Sequence, residues 1–286
     1  MVEIKGESFD GERALYASRS MFIENCEFSG KADGTSALKE SRDITVRGCR
    51  FDTRYPLWHN LGLKVDRCRF TVACEDPIWY TKHAEIRESS ICGPRAFREC
   101  KDVVITDCEV ESREFGWHCR DIDIRGGHIG GGYLFLGSSG LILDGIDSEG
   151  DDPFQYCMNL EIRNCNIRSG CAFWHVKKVT ISDSVIEGGC PGWYSTSLHL
   201  IRCRIVGTRP FCYARDLVME DCTMEGCDMS FEYSSVDVSV EGRIDSILNP
   251  ADGKIVADEI GEVITDDNRR VETECRVVIR SEDVWD

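Results

Sequence analysis

The sequence predicts an all-β chain, a right-handed, single-stranded parallel β-helix of about eleven coils, each of nineteen residues, with a C-terminal capping tail. Three observations carry that expectation. One phrase recurs, seen cleanly in Leu160-Glu161-Ile162-Arg163-Asn164-Cys165-Asn166-Ile167, with apolar residues five and three before the cysteine and two after it. Its equivalents are anchored at Cys26, Cys49, Cys68, Ser89, Cys108, Gly127, Ile146, Cys165, Ser184, Cys203 and Cys222, and every interval from Ser89 to Cys222 is the same, nineteen. Apolar residues alternate with period two inside each phrase, which is the mark of a strand. Strands repeated at a constant interval stack on their own copies in the next coil, and a constant period over many units signals a solenoid.

Taken in order, residues 1–13 read as an entry segment and N-terminal cap. Coils run from about Ala14 to Tyr233, within a helix domain of 1–248. The longer interval from Cys26 to Cys49 places an extra turn at Gly30 to Ser36. Each coil reads as three short strands. The first carries pairs such as Ile44 and Val46, or Val179 and Ile181. A residue tolerant of left-handed backbone, such as Gly48, Asp107 or Asn164, precedes the anchor and bends the chain. The second strand holds the anchor and an apolar residue two further on, such as Phe51, Val110 or Ile205. Beyond Val236 the period fails, and 249–286 reads as a capping or fold-back segment over an otherwise open solenoid end.

Composition narrows the function classes. A net charge of −17 argues against a nucleic-acid partner, because phosphates need cations that carboxylates here outnumber. No apolar run is long enough to span a membrane. The start, Met1 to Ser8, has neither a basic stretch nor an apolar core, so a cytoplasmic location is expected. Of 17 cysteines, seven hold the anchor phase and Cys100, Cys119 and Cys157 share another, so reduced, structural thiols are expected. With no C-x-x-C pair and no His-x-x-x-His, no metal and no cofactor are expected.

The third strand carries the functional candidates. Ten residues before successive anchors stand Trp58, Trp79, Trp117, Trp174 and Trp193, with Trp285 alone in the tail. Eleven before stand Leu57, Ile78, Phe97, Phe135, Phe154, Phe173 and Phe211; nine before stand His59, Tyr80, Glu99, His118, Tyr156, His175, Tyr194, Tyr213 and Glu232. In a strand, neighbours face opposite ways, so either the tryptophans face out with Phe and His/Tyr inside, or the reverse. The tryptophans are expected outside. Such a ladder suits an oligosaccharide or sugar ligand, with Trp58, Trp79, Trp117, Trp174, Trp193, His118, His175, Tyr156 and Tyr194 as ligand-binding candidates. It equally suits an interface covered by the tail or by a second copy in a homo-oligomer.

Candidate acid/base residues are Asp102 and Asp121, one period apart, at a spacing compatible with paired glycosidase carboxylates about 5–9.5 Å apart. Their phase also holds Asp43, Gly62, Gly140, Asn159 and Asp216, as a recurring turn position would. Asp151 and Asp152 precede the aromatic stretch and would rim it, as Glu75 and Asp76 do in the same phase. The alternation Arg47, Asp66, Arg87 and Arg125, Asp144, Arg163 reads as structural charge pairing between coils.

Pro56-Leu57-Trp58-His59, Pro210-Phe211-Cys212-Tyr213, Phe231-Glu232-Tyr233-Ser234 and Ile255 to Ile264 together give a resemblance. The chain resembles bacterial domain-of-unknown-function family 3737, pectin-lyase-like parallel β-helix proteins. The resemblance covers nearly the whole chain and implies the fold, with no reaction to carry over. Asp151-Asp152 is similar to the paired aspartates of polygalacturonases, without their Gly-His surroundings. Two functions follow as expectations: a carbohydrate-binding or carbohydrate-active protein, or a non-catalytic scaffold with its stripe covered.

Overall fold

The computed structural model describes residues 2–30 and 35–280, so Trp285 and part of the Gly30 to Ser36 turn lie outside the described residues. It contains parallel strands and turns, with no helix among the described residues. The chain divides into two compact units, Met1–Gly150 and Asp151–Asp286.

In the first unit, eight strands stack in parallel: Val2–Lys5, Arg19–Glu24, Arg42–Arg47, Leu61–Asp66, Lys82–Arg87, the starts of Lys101–Glu111 and Arg120–Gly130, and Ser139–Asp144. Registers follow the repeat, so Ile105 pairs with Ile86 and Ile124. A second row runs from Ser8–Phe9 to Asp147–Gly150. In the second unit, seven strands stack from Met158–Arg163 to Arg276–Ile279. Here the register slips between Met219 and Cys222, and the second row continues as a separate pair, Arg243–Leu248 with Glu259–Ile264.

The parallel β-solenoid expected from the repeat is therefore present, with more coils than eleven. At the C-terminal end the extra strands were hidden because their spacing departs from the period, Ile255 lying 17 residues after Val238 and 22 before Val277. At the N-terminal end the spacing is kept, and the short strand reads as a cap in the sequence. Val2 pairs with Met21, and Ile255 pairs with Val238 and Val277, so segments expected to cap the ends also carry strands of the ladder.

The third side is not a strand, which corrects the sequence reading. At Pro153-Phe154-Gln155-Tyr156 and its equivalents the chain makes a tight turn, with left-handed backbone eleven and nine residues before each anchor. Phe154 and Tyr156 have φ of 64° and 56°, Leu57 and His59 62° and 56°. For an L-residue that region costs about 1–2 kcal/mol, so the surroundings must hold it there. Stacking does so. Leu57 N–H donates to Ala37 O at 2.9 Å and His59 N–H to Trp79 O at 2.8 Å, one bond to each neighbouring coil. Where glycine replaces the ring, at Gly116, the next coil fills the gap, and Phe135 lies 2.6 Å from where a Cβ would sit.

Left-handed residues also break the alternation. The Phe column is fully buried, and the Trp column faces out, as expected. The His/Tyr column faces out too, with Tyr156 50% exposed. Expecting Phe and His/Tyr to share a side failed because the turn places two consecutive residues outside. Glu232 is displaced as well: the slipped register puts Tyr233 on Tyr213.

Inside, like stacks on like. Phe28, Phe51 and Phe70 lie with ring centroids 4.9 and 4.7 Å apart, and Phe154 on Phe173 at 5.0 Å. The cysteine columns do more than fill space. Cys100 N–H donates to Cys119 Sγ at 3.3 Å, while the Cys119 thiol donates to Phe97 O at 2.9 Å. Serine and threonine perform the same bridge: Cys119 N–H donates to Ser138 Oγ at 2.8 Å, and Thr81 donates to Leu57 O at 3.0 Å. Small donor–acceptor side chains thus satisfy backbone groups that the bends leave unpaired. Burial pushes the Cys74 and Cys227 thiols up to about 12, so these thiols stay neutral at neutral pH.

This bridging role separates two near-isosteric substitutions. Cys119→Ser keeps both bonds and should shift stability little. Cys119→Val strands the Cys100 N–H and Phe97 carbonyl and should cost about 1–3 kcal/mol, measured by urea unfolding; equal costs would contradict the assignment.

Candidate functional site

The turn column and the residues that leave it form one corner in each unit. In the first unit the tryptophans are closed. Trp58 and Trp79 stack at 5.0 Å and 3°. Arg98 occupies the same column, its guanidinium 4.7 Å from the Trp79 ring and 3.8 Å from Trp117, and Lys39 covers Trp58 at 5.5 Å. Two of the indole N–H groups are also spent: Trp58 donates to Asp76 O at 2.5 Å and Trp79 to Arg95 O at 2.7 Å, whereas the buried Trp117 N–H has no hydrogen-bond partner among the described residues. The column therefore runs Lys39, Trp58, Trp79, Arg98, Trp117, with both faces of Trp58 and Trp79 occupied by neighbours and Arg98 held between two indoles.

The second unit holds a longer ladder. Tyr156, His175, Tyr194, Tyr213 and Tyr233 stack in order at 5.2, 4.8, 4.8 and 5.7 Å, the first three steps within 10° of parallel. Rings stacked face to face present edges, nitrogen and hydroxyl to solvent, not open faces. Trp193 donates to Arg209 O at 2.7 Å, and Trp174 and Trp193 meet Tyr194 edge-on. The tail reaches the ladder at its last member, where Arg270 N–H donates to the Tyr233 hydroxyl at 3.2 Å.

Beside each ring column runs a basic one, seven residues before the anchors. In the first unit Lys82, Lys101 and Arg120 are in direct register and exposed. In the second, Lys177 and Arg215 flank Thr196. In the first unit these like charges lie on adjacent strands and oppose folding, and in a chain of net charge −17 a basic column is the opposite of the average. A cavity opens at the corner of each unit. One, of about 490 Å³, is lined by Glu99, Cys100, Lys101, His118, Arg120 and Gly137. The other, of about 370 Å³, runs along His175, Tyr194, Tyr213 and Tyr233 with Lys177 and Arg215.

The acid candidates are dispersed. Asp102 and Asp121 stand at left-handed bends, φ 58° and 57°, both exposed. Asp102 is hydrogen-bonded to His83, and Asp121 pairs with Lys101 at 3.8 Å. Asp151 is exposed, whereas Asp152 lines a third cavity of about 350 Å³ with Trp174 and Trp193. Their counterparts are spent in ion pairs: Glu75 with Arg54 at 2.6 Å, and the buried Asp76 with Arg95 at 2.5 Å. Burial pushes the Asp76 carboxyl up, against the opposing pull of Arg95. The charge alternation appears where Arg47 reaches Asp66 at 2.9 Å and Glu24 at 4.0 Å. Among the described residues no cluster of three metal-ligating side chains occurs.

Sequence reasoning missed Lys177 and Arg215, although the column Arg42, Lys82, Lys101, Arg120, Lys177 and Arg215 is readable from the period alone. It also missed the disulfide between Cys171 and Cys190, which corrects the expectation that every thiol is reduced.

Fold and corner together define a parallel β-solenoid protein that carries an edge-on aromatic ladder beside a basic column. The chain belongs to the family described as "Protein of unknown function (DUF3737)", which it matches over residues 2–278. No curated protein matches it. The structure of QnrB1, a plasmid-mediated fluoroquinolone resistance protein, is similar at 15% identity over 64% of this chain and 81% of that one, with a TM-score of 0.27, too low to carry an argument.

The Arg98 guanidinium held between two indoles in the first unit makes a prediction. Arg98→Ala opens the facing surfaces of Trp79 and Trp117. Stability should fall by about 1–2 kcal/mol and acrylamide should quench tryptophan emission more strongly. Unchanged quenching would show that the indoles are not closed by Arg98.

Proposed function

We propose that the protein is a non-catalytic carbohydrate-binding scaffold, and that its ligand is an acidic oligosaccharide laid along the corner of the second unit. The observation that carries this reading is the pairing of ring edges with cations: His175, Tyr194, Tyr213 and Tyr233 line one cavity with Lys177 and Arg215. Phenol hydroxyls and an imidazole match sugar hydroxyls, and the two cations match uronate carboxylates. Stacked rings leave no free face for a pyranose within the ladder, so recognition is by edge and charge. The resemblance to pectin-lyase-like helices belongs to this proposal and makes uronate oligomers the first ligands to try.

Non-catalytic binding is favoured over hydrolysis because a glycosidase needs two carboxylates on one groove. The His175–Tyr233 cavity has none on its wall, and the cavity between Trp174 and Trp193 has Asp152 alone.

Calorimetric titration with oligogalacturonate and a neutral galactan of equal length tests the reading. The acidic ligand should bind, more weakly with added salt, and Lys177→Ala/Arg215→Ala should lose roughly tenfold or more in affinity, as expected for two charge-assisted contacts. Equal binding of the neutral oligomer, or no effect of the double substitution, would refute it.

A further inference from the structure

Cys171 and Cys190 stand apart from the other thiols. They hold the same phase relative to their following anchors, Ser184 and Cys203, so they face each other across adjacent coils of the second unit. Their Cα atoms are 5.1 Å apart and the two are joined by a disulfide. The separation is ordinary for a disulfide, within about 4.4–6.8 Å. Both are half-exposed, whereas the remaining cysteines are buried except Cys92 and Cys275. The pair also forms part of a cavity wall, with Trp174, Trp193 and Asp152. Gly170 and Gly189 precede the two cysteines, so no side chain screens either from the position before it. Asp152 Oδ1 lies 4.0 Å from where a Cβ on Gly170 would sit, which brings a carboxylate beside Cys171.

We propose that Cys171–Cys190 is a thiol–disulfide exchange site whose substrate is a small aminothiol seated between Trp174 and Trp193. The incoming thiolate attacks one Sγ. A mixed disulfide forms as the Cys171–Cys190 bond breaks, and the electron pair leaves on the other Sγ, which takes a proton from solvent. A second aminothiol attacks the mixed disulfide, so two thiols are oxidised to one small disulfide and the protein gains two thiols. Run in reverse, a small disulfide reoxidises the pair. The indoles provide an apolar wall for the carbon chain, and Asp152 favours an ammonium over a carboxylate. Because Tyr194 lines both this cavity and the ring groove, exchange takes place directly against the aromatic ladder.

The test uses the full chain purified without reductant, treated with cysteamine or mercaptoacetate at matched thiolate concentrations. A disulfide beside an indole quenches its emission by accepting an electron from the excited ring, so reduction reads out as brighter tryptophan fluorescence. Without denaturant, emission should rise and Cys171 and Cys190 should become alkylatable, as read by peptide mass. Cysteamine should react severalfold faster than mercaptoacetate, and Asp152→Asn should abolish the difference. The Cys171→Ser variant, its fold checked by circular dichroism, should trap cysteamine on Cys190 when exposed to cystamine. Emission and alkylation that change only on unfolding would overturn the site. Equal rates for the two thiols on the native chain would overturn its substrate class.

Discussion

Everything in this molecule depends on coils that repeat closely enough for left-handed corners to be held. Each coil bends through residues at positive φ, and many are bulky, such as Phe154, Tyr156 and His175. Isolated, each would relax. In the stack, their N–H groups pair with the coils on either side and their rings lie on rings, so the cost is met column by column. Thiols and hydroxyls complete the arrangement. Cys119, Ser138 and Thr81 bridge carbonyls and N–H groups that no ladder reaches. This explains why cysteine and serine interchange along these columns: both are small, and both donate and accept.

Much of this was legible in the sequence. Leu160, Ile162, Cys165 and Ile167 define a buried face by alternation, and all are buried. The constant interval implied parallel stacking, which Val179 on Leu160 and Leu198 on Val179 display. The turn at Pro153 to Tyr156 was not legible, because a turn and a short strand of alternating apolar and polar residues look alike in one dimension. Only the positive φ at Phe154 and Tyr156 separates them. The end coils escaped for simpler reasons: Ile255 to Ala257 pair at spacings outside the repeat, whereas Val2 to Ile4 keep the period but precede the first anchor and so read as a cap.

The site was less legible than the fold. Aromatic phase pointed to the corner where the rings gather, but ring orientation decides what a corner can bind, and a sequence does not give it. His175 and Tyr194 stack face to face, and Trp79 is covered by Arg98, so surfaces expected to meet a sugar face are already occupied. What remains outward is polar edge and positive charge. Lys177 and Arg215 lay in plain view as members of a column, unnoticed because single cations on a strand are ordinary; their register with the cavity gives them meaning. The Cys171–Cys190 pair was lost among 17 cysteines for the same reason.

Removing one whole coil tests the stacking account most directly. In the second unit Met158 pairs with Lys177 and Lys177 with Thr196, each partner one period further along the chain. Deleting residues 166–184, one full period, joins Cys165 to Val185 and leaves every remaining column in phase. That chain should unfold cooperatively in urea, with a midpoint close to that of the full protein. A deletion one residue shorter turns each following buried residue outward and should abolish the cooperative transition. Equal stability of the two shortened chains would contradict the account.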